Sequence, residues 1–399
     1  MKSTLILFRS EADFERAICL GITLEKTIKT KFIYIGDHSP FFELGIKNRF
    51  NKKLFEQQKF KLNELKDYNI LLKLIYVFIN FRALSLKNLK KSPQLILSFF
   101  MYRLFLILNR ILIKKISKTI IKKEYPTFIL TDQTITDHKY PIEIIRKECL
   151  ARKIPVYLFH HGAGGGLHSE FSYPNIQDYD GYHVLACNQN EIKANQLNRI
   201  ITGDFSSSYP YVNFLNKLDF ENINFLNQRK YKVAFYVGGL MSALTSTNAW
   251  KIQEEIIIDL SERDDVAMIL KLHPREQINM DLRILNSFNN LKIISSEVDR
   301  SRVSKWADIC VINDHSSVVF EPMILAKKVI AIKGKRIPSK RNKKSPLVNS
   351  SVNYITESNE FNIESLTKAD PFDDVTNKIA WGDNGPVDLA DLFLSKYFK

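Results

Sequence analysis

The sequence predicts an α/β protein made of two Rossmann-like, doubly wound parallel-sheet domains facing a central cleft. Three observations carry that expectation. At 399 residues the chain is long enough for two cores of this size. Short apolar runs alternate with helix-length stretches in both halves, the pattern of strands joined by crossover helices. Between the two alternations lies a polar, Asn-rich stretch, 205–230, which reads as a joint.

In chain order, residues 5–8 form a first apolar strand, 11–27 a helix, and 31–35 a second strand ending at Gly-Asp. Residues 51–123 are rich in Lys, Leu, Ile and Phe and read as a basic, mostly helical insertion. Regular alternation resumes with PTFILTD (126–132), a helix over 142–152 and the strand IPVYLFHHG (154–162). Further strands are expected at 182–186 and 199–202, so that the first domain closes near residue 204. The second domain, 231–365, opens with KVAFYVGG (232–239), followed by a helix over 249–263 and the strand VAMILKLHP (266–274). Strands at 291–295, 307–314 and 328–334 complete it, with a helix from about residue 317 between the last two. Residues 366–399 hold a polar lead-in and a last helix.

A formal net charge of +15 suits an anionic partner: nucleic acid, lipid headgroups or phosphate-bearing substrates. No zinc-finger spacing and no aromatic-basic RNA-binding pattern accompanies it, which sets nucleic acid aside. The four cysteines, Cys19, Cys149, Cys187 and Cys310, are widely spaced and form no CxxC pair. That usage fits reduced thiols and a cytoplasmic location, and neither a disulfide framework nor a metal site. The start, MKSTLILFRS, is followed at once by acidic EADFE and reads as a strand, not a signal peptide. Residues 93–113 are long and apolar, but Arg103, Asn109 and Arg110 interrupt them. An Arg at the bilayer centre costs roughly 2.5–3.5 kcal/mol. With lysines on both flanks, the segment is expected to lie buried or at an interface, where its basic skirt could touch an anionic membrane.

Polar residues at strand ends are the candidates for chemistry, because parallel sheets bind ligands at their carboxyl edges. His273 follows an apolar strand within KLHPRE, and Pro274 fixes the turn there. An imidazole so placed can donate to a phosphate oxygen, with Lys271 and Arg275 adding positive potential. In NDHSSVVFEP (313–322), Ser316 and Ser317 are N-cap residues for the next helix, whose free N–H groups attract an anion. Glu321, one turn on, could accept from ribose hydroxyls. Gly238 and Gly239 permit close backbone approach to a ligand. In the first domain, HHGAGGG (160–166) follows a strand without the GK[ST] of a P-loop. Asp132, which ends TFILTD, could act as a general base. Strand-end Asp residues, His residues in turns and Ser-Ser pairs also serve as plain caps, and each of these readings stays open.

The ordered pair of motifs resembles a clan of GT-B transferases. The clan includes the CDP-glycerol glycerophosphotransferases of teichoic acid synthesis, bacterial polysialyltransferases and capsule enzymes that transfer Kdo. In those families an HP and a later SS motif hold the phosphate and ribose of a CMP- or CDP-activated donor. They match His273-Pro274 and Ser316-Ser317 here, with Glu321 in the usual place. The resemblance covers 233–332 well, and extends more weakly to FHHGAGGG, where it implies a base role for His161, with His160 the neighbouring alternative. It implies a GT-B fold, an inverting and metal-independent glycosyltransferase without a cofactor, and a glycan or lipid-linked acceptor. By analogy it also implies a last helix packed back on the first domain. A UDP-sugar 2-epimerase-like enzyme and a non-catalytic nucleotide-binding scaffold are the alternatives.

Overall fold

The computed structural model describes residues 3–8, 11–25, 28–35, 61–64, 94–132, 141–159, 181–186, 199–202, 223–237, 247–272, 285, 287–294, 300–313, 316–333, 350–370 and 389–397.

The first half forms one parallel sheet. Its strands are β1 (Ser3–Phe8), β2 (Lys29–Tyr34), β3 (Lys61–Glu64), β4 (Phe128–Asp132), β5 (Val156–Phe159), β6 (Tyr182–Ala186) and β7 (Arg199–Ile201). They lie in the order β3-β2-β1-β4-β5-β6-β7. The helices α1 (Glu11–Leu24), α2 (Gln94–Glu124) and α3 (Pro141–Ala151) alternate with them. The strand sequences are nearly unbroken apolar runs because both faces of such a sheet are covered. Alternate residues serve opposite faces: Ile6, Phe8, Phe128, Leu130, Tyr157 and Phe159 pack in one cluster. Leu5, Leu7, Ile129, Val156 and Leu158 pack in the other, with α2 and α3. Gly21 of α1 is required by packing, since a Cβ there would collide with the Phe32 ring.

The second half repeats the plan with β8 (Tyr231–Tyr236), β9 (Val266–Lys271), β10 (Leu291–Ile294), β11 (Ile309–Asn313), β12 (Lys328–Ile332) and β13 (Asn353–Ile355). Their order is β10-β9-β8-β11-β12-β13, all parallel. Helices α4 (Thr247–Ser261), α5 (Arg300–Trp306) and α6 (Phe320–Ile324) connect them. Again two clusters flank the sheet, one around Ala234, Ile269 and Ile312, the other around Phe235, Leu270 and Val311.

The last helix, α7 (Leu389–Tyr397), belongs to the first core. Phe393 stacks on Phe128 at 4.6 Å between centroids and meets Tyr157 edge-on at 4.9 Å. Ile223, inside the stretch read from sequence as a joint, is buried in the second core, and the Trp306 indole donates to the Phe225 carbonyl.

Three local features were not read from the sequence. The described part of the mostly helical region 51–123 also holds a strand, Lys61–Glu64, which pairs with β2 as the edge of the sheet; its alternation is too short to register against the surrounding lysines. The helix expected from residue 317 starts as a 3-10 turn, Ser317–Val319, and becomes α-helical only at Phe320. The edge strand β13, only three residues long, was not anticipated.

Candidate functional site

The second sheet has the order 3-2-1-4-5-6 and the first the same order with a seventh strand at its end, so each reverses its winding between its first and fourth strands. At such a switch point the neighbouring crossovers leave on opposite faces and open a crevice beyond the carboxyl ends. In the first domain the switch lies between β1 and β4, and in the second between β8 and β11.

At the second switch the chain leaves β11 through Asn313 and turns back on itself. The Ser316 amide donates to the Asn313 carbonyl at 2.9 Å, and the Val319 amide to the Ser316 carbonyl at 3.1 Å. Ser316 itself is extended (φ −85°, ψ 125°), and its hydroxyl oxygen accepts from the Val318 amide at 3.4 Å. This is the geometry of an N-cap, reached because a short hydroxyl side chain can satisfy an amide that the turn leaves open. Asn313 is 8% exposed, and its side-chain oxygen has no hydrogen-bond partner among the described residues. A buried carbonyl without a donor is costly, so among the described residues this position stands out as a polar group available to a further partner.

Beneath the turn lies a polar network. Glu321 is only 3% exposed, and its Oε2 accepts from Arg300 Nε at 3.1 Å. Burial of a carboxylate is tolerable only with such a partner. Tyr236, the last residue of β8, lies 2.5 Å from the Ser304 hydroxyl and 3.1 Å from the Arg300 carbonyl. A carbonyl can only accept, so the tyrosine hydroxyl donates to Arg300 and the serine donates to the tyrosine. Burial raises the Tyr236 hydroxyl well above the ordinary range, with the charges of Cys310 and Glu321 adding to it, so it remains a donor. On the neighbouring strand, Lys271 ends β9, 7% exposed, with its ammonium donating to the Leu272 carbonyl at 3.2 Å. The Val237 amide donates to the Lys271 carbonyl at 3.1 Å, which ties these two strand ends together.

In the first domain, Asp132 is the last residue of β4, at the switch edge. The preceding Thr131 is buried, and its Oγ1 accepts from Arg146 Nε at 3.2 Å and Nη2 at 2.9 Å. Arg146, 1% exposed, also pairs with Glu143, whose Oε2 accepts from the Tyr182 hydroxyl at 3.4 Å. Burial, reinforced by Glu143, raises the tyrosine above its ordinary range. The network braces the end of β4 from α3 and β6.

Of the residues singled out from sequence, Ser316, Glu321 and Lys271 stand at the second switch or the adjacent strand end, and Asp132 at the first. Ser317 opens the 3-10 turn. His160, His161, Gly238, Gly239, His273, Pro274 and Arg275 lie outside the described residues. Sequence reasoning missed Arg300, Tyr236, Ser304 and Asn313. Arg300 sits in DRSRVSKW, where three basic residues look like a solvated face, and nothing local marks one of them as buried against Glu321. Asn313 carried a weak signal: a polar residue closing an otherwise apolar strand.

Cys149 and Cys310 are buried, and burial pushes both thiols up to about 12, so they are packing groups and not nucleophiles. Among the described residues there is no group of His, Cys, Asp and Glu side chains that could hold a metal ion.

No protein-family profile and no curated protein matches the chain. Solved structures do. A putative UDP-N-acetylglucosamine 2-epimerase from Listeria monocytogenes superposes with a TM-score of 0.52 at 10% identity, over 90% of this chain and 85% of that one. S. aureus MnaA, solved with UDP, gives 0.49 at 12% identity over 84% and 80%. MurG of Acinetobacter baumannii gives 0.42 at 10% identity over 91% and 88%. Likeness at such identities is likeness of fold, and the first of these carries it: the chain is similar to nucleotide-sugar enzymes in having two Rossmann-like domains of the GT-B architecture.

Proposed function

We propose that the protein is a glycosyltransferase that takes a nucleotide-activated sugar, CMP- or CDP-linked, and builds a bacterial surface polysaccharide or related glycoconjugate. The observation that carries the reading is the Ser316 turn, set at the switch point of the second sheet over the buried Glu321–Arg300 pair. That turn presents the Ser316 hydroxyl, which accepts from the Val318 amide and keeps its own hydrogen to donate, where a donor phosphate would lie. Its sequence is also the SS part of the HP–SS resemblance.

In this mechanism the acceptor hydroxyl loses its proton to His161, or to His160 or Asp132 as alternative bases, and attacks the anomeric carbon. The bond from that carbon to the donor phosphate breaks, and the phosphate departs with the electron pair. His273, Lys271, Arg275 and the Ser316-Ser317 turn stabilise the charge it gains. Glu321 accepts from the ribose; a carboxylate has about four lone-pair sites, so the ribose and Arg300 can share it. Gly238 and Gly239 let the backbone approach the donor. A single displacement inverts the anomeric configuration, and no metal is required.

A second reading is an epimerase-like enzyme, and one observation favours it: the neighbour at TM-score 0.52 is described as a putative UDP-N-acetylglucosamine 2-epimerase. A scaffold that binds nucleotide without turnover shares the same site. The test is a thermal-shift panel of CMP, CDP, UMP, UDP, GDP and dTDP, repeated on His273→Ala and Ser317→Ala. Stabilisation by cytidine nucleotides, lost in both variants, is the expected result. Stabilisation by uridine nucleotides alone, with C2 epimerisation of UDP-N-acetylglucosamine, favours the epimerase. No shift with any nucleotide overturns the phosphate site.

A further inference from the structure

We infer that the amino-terminal part of α2 is an anchor for an anionic bilayer surface, which it holds at the ligand-binding edge of the first sheet.

The inference begins with a mismatch of lengths. Helix α2 has 31 residues, which spans about 46 Å, whereas the six residues of β1 span about 20 Å. Its carboxyl end is pinned at the amino edge of the sheet. The Ser3 hydroxyl donates to the Glu124 carbonyl at 3.1 Å, Lys31 pairs with the Glu124 carboxylate, and the Thr127 amide donates to the Ser3 carbonyl at 2.8 Å. From there the helix runs back along the sheet, burying Ile121, Ile120, Ile116 and Ile113 in the cluster that holds Leu5, Leu7, Ile33 and Ile35. Residues 113–124 cover about 16 Å, roughly the height of the strands. The remainder of the helix therefore extends past the carboxyl edge, the edge at which β4 ends in Asp132.

The side chains described there that meet solvent are aliphatic. Ile107 is 57% exposed, Leu108 42% and Ile111 60%. On a 3.6-residue helix Ile107 and Ile111 stack on one face, and that face continues through Lys114, Lys115, Lys118 and Lys122. All four lysines are exposed, and none forms an ion pair among the described residues. One stripe thus joins an apolar patch to a row of uncompensated ammonium groups. Glu124, the acidic residue at this helix's end, faces Lys31 instead.

This chemistry selects the occupant. Three neighbouring aliphatic side chains gain by entering the acyl boundary, and the lysines gain from the negative potential of the headgroups. Lysine is a compact point charge on a flexible stem, suited to a smeared anionic surface more than to the fixed carboxylates of a protein partner. No helix among the described residues is long and apolar enough to cross a membrane, so α2 lies on the surface. Docked in this way, the first switch edge opens towards the bilayer, where a lipid-linked acceptor would present its hydroxyl; this placing of the acceptor rests on the transferase reading, whereas the docking does not.

The experiment is vesicle flotation of the full chain, with phosphatidylcholine alone and with about 30% phosphatidylglycerol added. The unaltered protein is expected to float with the anionic vesicles and at least about tenfold less with the neutral ones, and to be released by about 0.5 M salt. Ile107→Ser with Ile111→Ser, and separately Lys115→Gln with Lys118→Gln and Lys122→Gln, are each expected to lower binding at least about tenfold. Their circular dichroism and nucleotide thermal shifts should stay unchanged. Protein that remains in solution, floats equally with neutral vesicles, or binds undiminished in the isoleucine variant overturns the inference. So does a dimer in light scattering that the isoleucine variant converts to monomer, which would make this face a protein interface. Flotation without any nucleotide shift would leave the anchor standing and remove only the acceptor's placement; nucleotide shifts without flotation would do the reverse.

Discussion

Arg300 and Glu321 are joined at 3.1 Å across the floor of the second domain's switch point, the carboxylate 3% exposed and the guanidinium partly open to water. The asymmetry in exposure sets how each partner fails when the other is removed. Arg300→Ala takes the guanidinium away from a buried carboxylate and is expected to cost about 3 kcal/mol. Glu321→Ala leaves a guanidinium that can swing towards solvent and should cost about 1 kcal/mol less. Urea unfolding of the two variants measures the order; the reverse order would show that the arginine is the more desolvated partner.

Asn313 offers the opposite kind of variant, one that gains stability while losing function. Its buried side-chain oxygen has no partner among the described residues, so Asn313→Leu should be neutral or stabilising by up to about 1 kcal/mol. If the unfilled acceptor belongs to the nucleotide site, the same variant loses the nucleotide-dependent rise in Tm. A Tm that falls without nucleotide would mean that the amide is already used within the fold.

Phe393 is the contact through which α7 closes the first core, stacked on Phe128 at an interplanar angle of 9°. Phe393→Ala is expected to cost about 3–5 kcal/mol from lost burial and the cavity left behind. Limited proteolysis should then cleave near α7 well before the rest of the chain. Equal resistance in variant and parent would show that other contacts hold the helix.

Stability should fall in alkali, and the buried thiols give the sign. Cys149 and Cys310 are raised from 9.0 to about 12, so between those values the unfolded chain has released protons that the folded chain keeps. Each thiol contributes stability that is fully present below pH 9 and lost as pH rises towards 12, at about 1.4 kcal/mol per pH unit. Cys310→Ala should flatten the slope of urea-unfolding free energy against pH over that window by one thiol's share. An unchanged slope would assign the alkaline loss to other groups, Tyr236 among them.

Much of the fold was legible because strands buried on both faces must be apolar along their whole length. LILF, FIL, VAMIL and ICVI announce themselves for that reason, and the helix-length stretches that alternate with such runs imply parallel crossovers. The Ser316 cap was legible too, because capping is a local transaction between a side chain and an amide two residues on. Lys61–Glu64 was not, since a four-residue edge strand is stabilised by its pairing with β2 and has little periodicity of its own.

The sequence by itself determined the parallel α/β class, the strand ends at which polar residues gather, and the basic character of α2, all of which follow from local pattern. Only the tertiary structure decided which of those residues meet. Arg300 and Glu321 are 21 positions apart, Tyr236 and Ser304 are 68, and Phe393 reaches Phe128 from the far end of the chain. It also decided that α2 overruns its sheet and leaves Ile107 and Ile111 in solvent, while Ile113 and Ile116, of the same residue type, are buried. Composition cannot distinguish those isoleucines, because burial depends on what lies opposite each face, and that is fixed only when strands distant in sequence have come together.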